Sequence, residues 1–123
     1  MESTPDIYTI EAETLTALAH PSRLEILELL SEGERCVCHI QAVLDQRQAY
    51  ISQHLNILRQ AGLVTNRKDG KRVYYQVSNP QIFEIVDSLK AFLRSQKRRQ
   101  IKFPVDSLSI APRKPCNCPQ CAA

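Results

Sequence analysis

The chain's five cysteines fall into two groups, Cys36 and Cys38 on either side of Val37, and Cys116, Cys118 and Cys121 in a C-x-C-x-x-C run near the end. Thiolates are soft ligands that favour cadmium, lead, zinc or copper(I), and the same softness suits trivalent arsenic in a pyramid of three sulfurs. In a reducing cytosol, clustered cysteines point to metal or redox chemistry rather than to a disulfide framework. Residues two apart on an ideal helix diverge, so Cys36 and Cys38 can hold one ion only where a helix starts irregularly. A helix N-terminus also lowers a thiol's pKa and makes thiolate more available. The C-x-C-x-x-C run is compact enough to chelate by itself, or to fold back and complete the first pair. His39 adjoins the pair, and a lone exposed histidine is more often solvated than a ligand.

These cysteines must be positioned by a small fold. With 123 residues, 43% hydrophobic and 24% charged, the chain suits one domain with a modest core. Ile7, Ile10, Leu15 and Leu18 give a loose first amphipathic helix. Pro21 then breaks the chain, and Ser22 with Glu25 three residues later makes a capping box for a second helix on Leu24, Ile26, Leu27, Leu29 and Leu30, running to about Gly33. Val37, Ile40, Val43 and Leu44 predict a short third helix, and the polar stretch Asp45 to Gln48 a tight turn. A fourth helix follows on Ile51, Leu55 and Leu58, stopped by Gly62, with Asp45 available as its cap. Leu63 to Lys68 and Lys71 to Val77 read as two strands around Asp69-Gly70, a pair suited to a type I′ hairpin. Asn79 and Pro80 begin a fifth helix with the stripe Ile82, Ile85, Val86, Leu89, Phe92 and Leu93, ending near the basic run Lys97 to Lys102. The expected organisation is a domain over 1–102 and a flexible tail over 103–123 that holds Pro104, Pro112, Pro115, Pro119 and the last three cysteines.

Two short helices joined by a few residues, the second with a polar outer face, make a helix-turn-helix. On that face the sequence places Gln48, Tyr50, Gln53 and His54. Gln48, Gln53 and His54 suit base edges, Tyr50 a thymine methyl or a phosphate, and Arg47 and Ser52 the backbone. The hairpin adds Arg67, Lys68, Lys71 and Arg72. Charge is distributed accordingly: residues 1–34 hold eight acids against one base, Arg23, and residues 35–123 hold fifteen bases against five acids. The middle and end of the chain are suited to a polyanion. The whole reads as mainly α with a β-hairpin wing, a winged helix-turn-helix of about five helices and two strands.

The segment Leu44 to Ser78, LDQRQAYISQHLNILRQAGLVTNRKDGKRVYYQVS, resembles the recognition helix and wing of the ArsR/SmtB family of winged-helix metalloregulators. Leu18-Ala19-His20-Pro21-Ser22-Arg23-Leu24-Glu25-Ile26-Leu27 is similar to the start of that family's second helix, and the likeness covers about residues 15 to 93. Within the family, Cys36-Val37-Cys38 with Leu44-Asp45-Gln46 and Gln48 is most similar to arsenical-resistance operon repressors. The resemblance implies a homodimer paired through the first and fifth helices, each recognition helix reading half of a pseudo-palindromic operator, with trivalent arsenic or another thiophilic ion as inducer. It departs at Arg47, where a serine cap is usual, and at Gln41, where family arsenic sites often have a third cysteine. The family's carboxylate and histidine site on the last helix is not expected: Asp87 is present, but Leu89 stands where a histidine is wanted.

Other classes fit less well. An enzyme is not expected, because no third orienting group, glycine-rich loop or acid pair accompanies Cys and His. A thiol-redox or persulfide switch and a constitutive architectural DNA-binder remain as alternatives. MESTPDIYTI lacks a secretory signal's basic and then apolar regions, and no apolar run approaches the ~20 residues a bilayer requires, so a cytoplasmic protein without a membrane partner is expected.

Overall fold

Each helix boundary has a local cause. In the computed structural model, which describes residue 4 and residues 6–96, α1 (Ile7–Leu18) opens on Asp6, whose carboxylate accepts the Thr9 N–H at 2.7 Å. That bond holds the Asp6 carboxyl below the usual aspartate range. The next helix, α2 (Pro21–Leu30), is capped by His20, with Nδ1 accepting the Ser22 N–H at 3.1 Å. The Ser22–Glu25 capping box does not form. Pro21 lacks an N–H and has its φ preset for the first helical position, so the helix starts there and Ser22 lies inside it.

The chain then runs through β1 (Arg35–Cys36) directly into α3 (Val37–Leu44). Asp45 ends α3 in the left-handed region at φ 54°, so it closes one helix instead of capping the next. The following helix, α4 (Gln48–Gln60), takes Arg47 as its N-cap with no side-chain bond. Its inner stripe of Ile51, Leu55 and Leu58 is fully buried against Ile26, Leu29, Ile40 and Val43. This apolar centre holds α2, α3 and α4 together.

After Gly62 the chain forms a hairpin of β2 (Val64–Asp69) and β3 (Arg72–Val77), with Asp69 paired to Arg72. The loop is therefore Gly70-Lys71, one residue later than expected. Positive φ is confined to Gly70, at 62°, the pattern of a type II′ rather than a type I′ turn. The sheet has three strands, not two: β1 lies antiparallel to β3, pairing Arg35 with Tyr75 and Cys36 with Tyr74, in the order β1-β3-β2.

Asn79 Oδ1 accepts the Gln81 N–H at 2.9 Å and shapes the approach to α5 (Ile82–Ser95), whose own N-cap is Gln81. Only Ile82 of α5 is buried; Ile85, Leu89 and Phe92 are exposed, as are Ile7, Tyr8, Ile10 and Leu15 of α1. Lys90 ties α5 to Glu28 of α2 at 2.6 Å. The run Lys97 to Lys102 and the 103–123 tail lie outside the described residues.

Leu55 is fully enclosed, so Leu55→Ala leaves a cavity in the three-helix centre. Urea denaturation should show a loss of about 2–5 kcal/mol, and a loss under about 1 kcal/mol would mean that α4 does not anchor the core.

Candidate nucleic-acid interface and thiol pair

The α3–α4 pair is the expected helix-turn-helix, joined through residues 45–47. Arg47, Gln48, Ser52 and Gln53 are exposed on α4 and its cap. Tyr50 is half-buried, and its hydroxyl shares a 2.8 Å hydrogen bond with Ser22 Oγ, the side chain expected to cap α2. His54 is not on the outer face: it is 6% exposed. Position 54 follows Ile51 by three and precedes Leu58 by four, which places it on the buried stripe despite its polarity.

His54 is enclosed by two rings and a cation. The His20 ring lies 4.3 Å away at 37°, Tyr50 meets it edge-on at 4.6 Å, and Arg23 Nη1 is 3.1 Å from His54 Nδ1. Burial, then the charges of His20 and Arg23, push the His54 pKa below the ordinary histidine value. Sequence reading missed Arg23. Its signal was available, as the one base among the first 34 residues, set just before an apolar run.

On the wing, Arg67 Nε and Nη2 reach Glu34 at 2.8 and 2.7 Å, Nη1 lies 3.7 Å from Asp69, and the guanidinium covers the Tyr74 ring at 4.5 Å. This forked pair holds the Glu34 carboxyl below its usual range and raises the Arg67 pKa. Lys68 and Lys71 are exposed and Arg72 is half-buried. The wing thus presents lysines outward while Arg67 is engaged with the body of the protein.

Cys36 is buried at the end of β1, and Cys38 is half-buried in the first turn of α3. Their sulfurs are joined as a disulfide, with Cα atoms 5.3 Å apart, where the sequence reading expected separate thiols. The irregular helix start is present: Cys36 is extended, at φ −67° and ψ 143°, so its side chain leaves the helix and meets that of Cys38. Beside the pair is a cleft of about 370 Å³ bordered by Gln41, by Gln48 and Ser52 of α4, and by Lys71 of the wing loop. His39 is buried, not exposed, and burial and then Arg35 lower its pKa. Among the described residues no group of three or more His, Cys, Asp or Glu side chains converges as a metal site. Cys116, Cys118 and Cys121 lie outside the described residues.

A family profile described as bacterial regulatory protein, arsR family, matches residues 20–66, a span that includes the thiol pair and the whole helix-turn-helix. An HTH-type transcriptional regulator of Mycobacterium tuberculosis is 40% identical over 87 residues, which are 70% of this chain and 75% of that one. The chain belongs to the arsR family of bacterial regulatory proteins. The arsenical resistance operon repressor of Escherichia coli K12 is 46% identical over 72 residues, 58% of this chain and 62% of the relative. Among solved structures, the homodimeric winged helix-turn-helix DNA-binding domain from Mycobacterium bovis has a TM-score of 0.66 at 29% identity, covering 81% of this chain and all of that one. This arsR-family chain is a DNA-binding transcriptional regulator and not an enzyme. No helix among its described residues is long and apolar enough to cross a membrane.

Replacing Glu34 by Gln removes the carboxylate that engages Arg67. The plot of log affinity for duplex DNA against log salt should steepen by about 0.9, one added phosphate contact, and an unchanged slope would show that Arg67 does not reach the DNA backbone.

Proposed function

We propose that the protein is a repressor that binds operator DNA as a homodimer in the cytoplasm and leaves it when Cys36 and Cys38 take up a soft ion, trivalent arsenic or antimony foremost. The observation that carries this reading is the convergence of two sulfurs beside one cleft with Gln48 and Ser52 of α4 and Lys71 of the wing. The likeness to an arsenical resistance operon repressor supports the choice of ion. Cadmium, lead and zinc are the alternatives that thiolate chemistry leaves open.

In this reading Gln48 and Gln53 meet base edges, Tyr50 presents its ring edge, and Arg47, Ser52, Lys68, Lys71 and Arg72 meet the phosphates, while Arg67 stays paired with Glu34 and braces the wing. His54 takes no part in contact because it is enclosed. The exposed apolar faces of α1 and α5 pair two protomers. Only the reduced pair, two thiolates, can ligate. Cys36 belongs to the sheet and Cys38 to α3, so drawing both toward one centre shifts α3 against the wing and α4 with it, a coupling of about 1–3 kcal/mol. The third sulfur for arsenic comes from Cys116, Cys118 or Cys121.

The Cys36–Cys38 disulfide favours a second reading, in which oxidation of the pair is itself the signal. Fluorescence-anisotropy titration of operator DNA with reduced protein separates the two. Release by arsenite, and loss of that release in the Cys36→Ser, Cys38→Ser double variant with DNA binding retained, is the expected result. Binding that ignores arsenite, cadmium, lead and zinc but is reversed by oxidant would replace it with the redox reading.

A further inference from the structure

Arg23 is 9% exposed, and a guanidinium so placed requires acceptors. It finds them on two other helices. Nε donates to the Ala17 carbonyl at 2.6 Å and Nη2 to the Thr16 carbonyl at 3.3 Å, both in the last turn of α1, where helix carbonyls lack intrahelical partners and the dipole is negative. Nη1 donates to Nδ1 of His54 on α4 at 3.1 Å. The Thr16 carbonyl also accepts the Ala19 N–H at 3.1 Å, so a single planar group carried by α2 shares in closing the end of α1 and holds the inner side of the reading helix. The Tyr50–Ser22 hydrogen bond is a second tie between α4 and α2, one turn nearer the start of α4.

We propose that Arg23 and His54 form the clamp that positions α4 against α1, and that a proton on His54 opens it. With Nδ1 accepting from Arg23, the ring's own proton sits on Nε2. A second proton must go to Nδ1, which turns the acceptor into a donor facing a donor and sets two positive charges together. From α2 and its cap, the charged groups acting on His54 are Arg23 and His20, both basic; Tyr50 faces it from α4 itself, and α1 contributes only carbonyls through Arg23. No carboxylate stands among them to accommodate the added charge. The sign follows from linkage. Unfolded chain takes up a histidine proton near pH 6.5 while the folded clamp resists it, so the clamped state is fully favoured above that pH and loses ground as pH falls toward the depressed folded value. The clamp is independent of Cys36 and Cys38, so it acts whichever signal those thiols sense.

The test is operator affinity of the reduced full chain, at constant salt, near pH 7.5 and near pH 5.5, for wild type, His54→Asn and Arg23→Lys, with urea melts at both values. Acidification adds positive charge and by itself tightens binding to DNA, so a fall in affinity runs against the bulk effect. Wild type is expected to weaken about tenfold, within the usual range for coupled sites. Asn offers an oxygen near the place of Nδ1 and cannot titrate, so His54→Asn is expected to hold one affinity at both pH values. Arg23→Lys is expected to bind more weakly at both, because an ammonium cannot serve three acceptors in one plane. A flat wild-type profile, an equal loss in His54→Asn, or wild-type affinity in Arg23→Lys would each overturn the clamp. If His54→Asn fails to fold, NMR titration of the His54 ring in wild type decides: reciprocity requires operator DNA to lower its pKa, and an unchanged value refutes the proposal.

Discussion

Arg35 and Cys36 run antiparallel to Tyr75 and Tyr74, and the placement of the functional groups depends on this short pairing. It delivers the chain to the wing's inner strand and lets α3 begin at the very next residue. One thiol is thereby fixed to the sheet and the other to the helix-turn-helix, at the point where the two halves of the DNA-binding surface adjoin. Without the pairing, residues 35–36 would be an ordinary connection, and a change at the sulfurs would have no defined route to the wing.

Electrostatics distribute the remaining tasks. The acidic first third of the chain supplies Glu28 and Glu34, and the basic remainder supplies Lys90 and Arg67, so each pair links distant segments. Exposed ion pairs contribute little to stability, and their use here is orientation. Arg67 is laid flat on Tyr74 and turned toward Glu34, which leaves Lys68 and Lys71 as the hairpin's outward cations. Buried Arg23 has a different task, because its planar fork is matched to carbonyls and an imidazole rather than to a carboxylate.

Much of this was legible in the sequence. Apolar periodicity locates α1, α3 and α4 because each spends a continuous stripe on one side, and Asp69-Gly70 marks the hairpin to within one residue. What escaped detection was short or chemically misleading. A two-residue strand has no alternation to read, so β1 was invisible. Polarity points His54 outward, although its spacing from Ile51 and Leu58 is that of a core position. Ser22 has the spacing of a cap, but proline's fixed φ moves the helix start two residues earlier and gives the cap to His20. In each case geometry imposed by a neighbour overrode the preference of the side chain.

The uncovered apolar side chains of α1 and α5 have a consequence beyond pairing. Seven large hydrophobic residues stand open on these two helices, against a core built mainly from α2, α3 and α4. When such faces close on a second copy, folding becomes a second-order process whose midpoint moves with protein concentration. A melting temperature recorded at micromolar protein then describes a different equilibrium from an affinity recorded at nanomolar protein. In a cell, occupancy of a DNA site would rise with the square of a scarce protomer's concentration, giving a steeper response to its own synthesis than a monomer could produce.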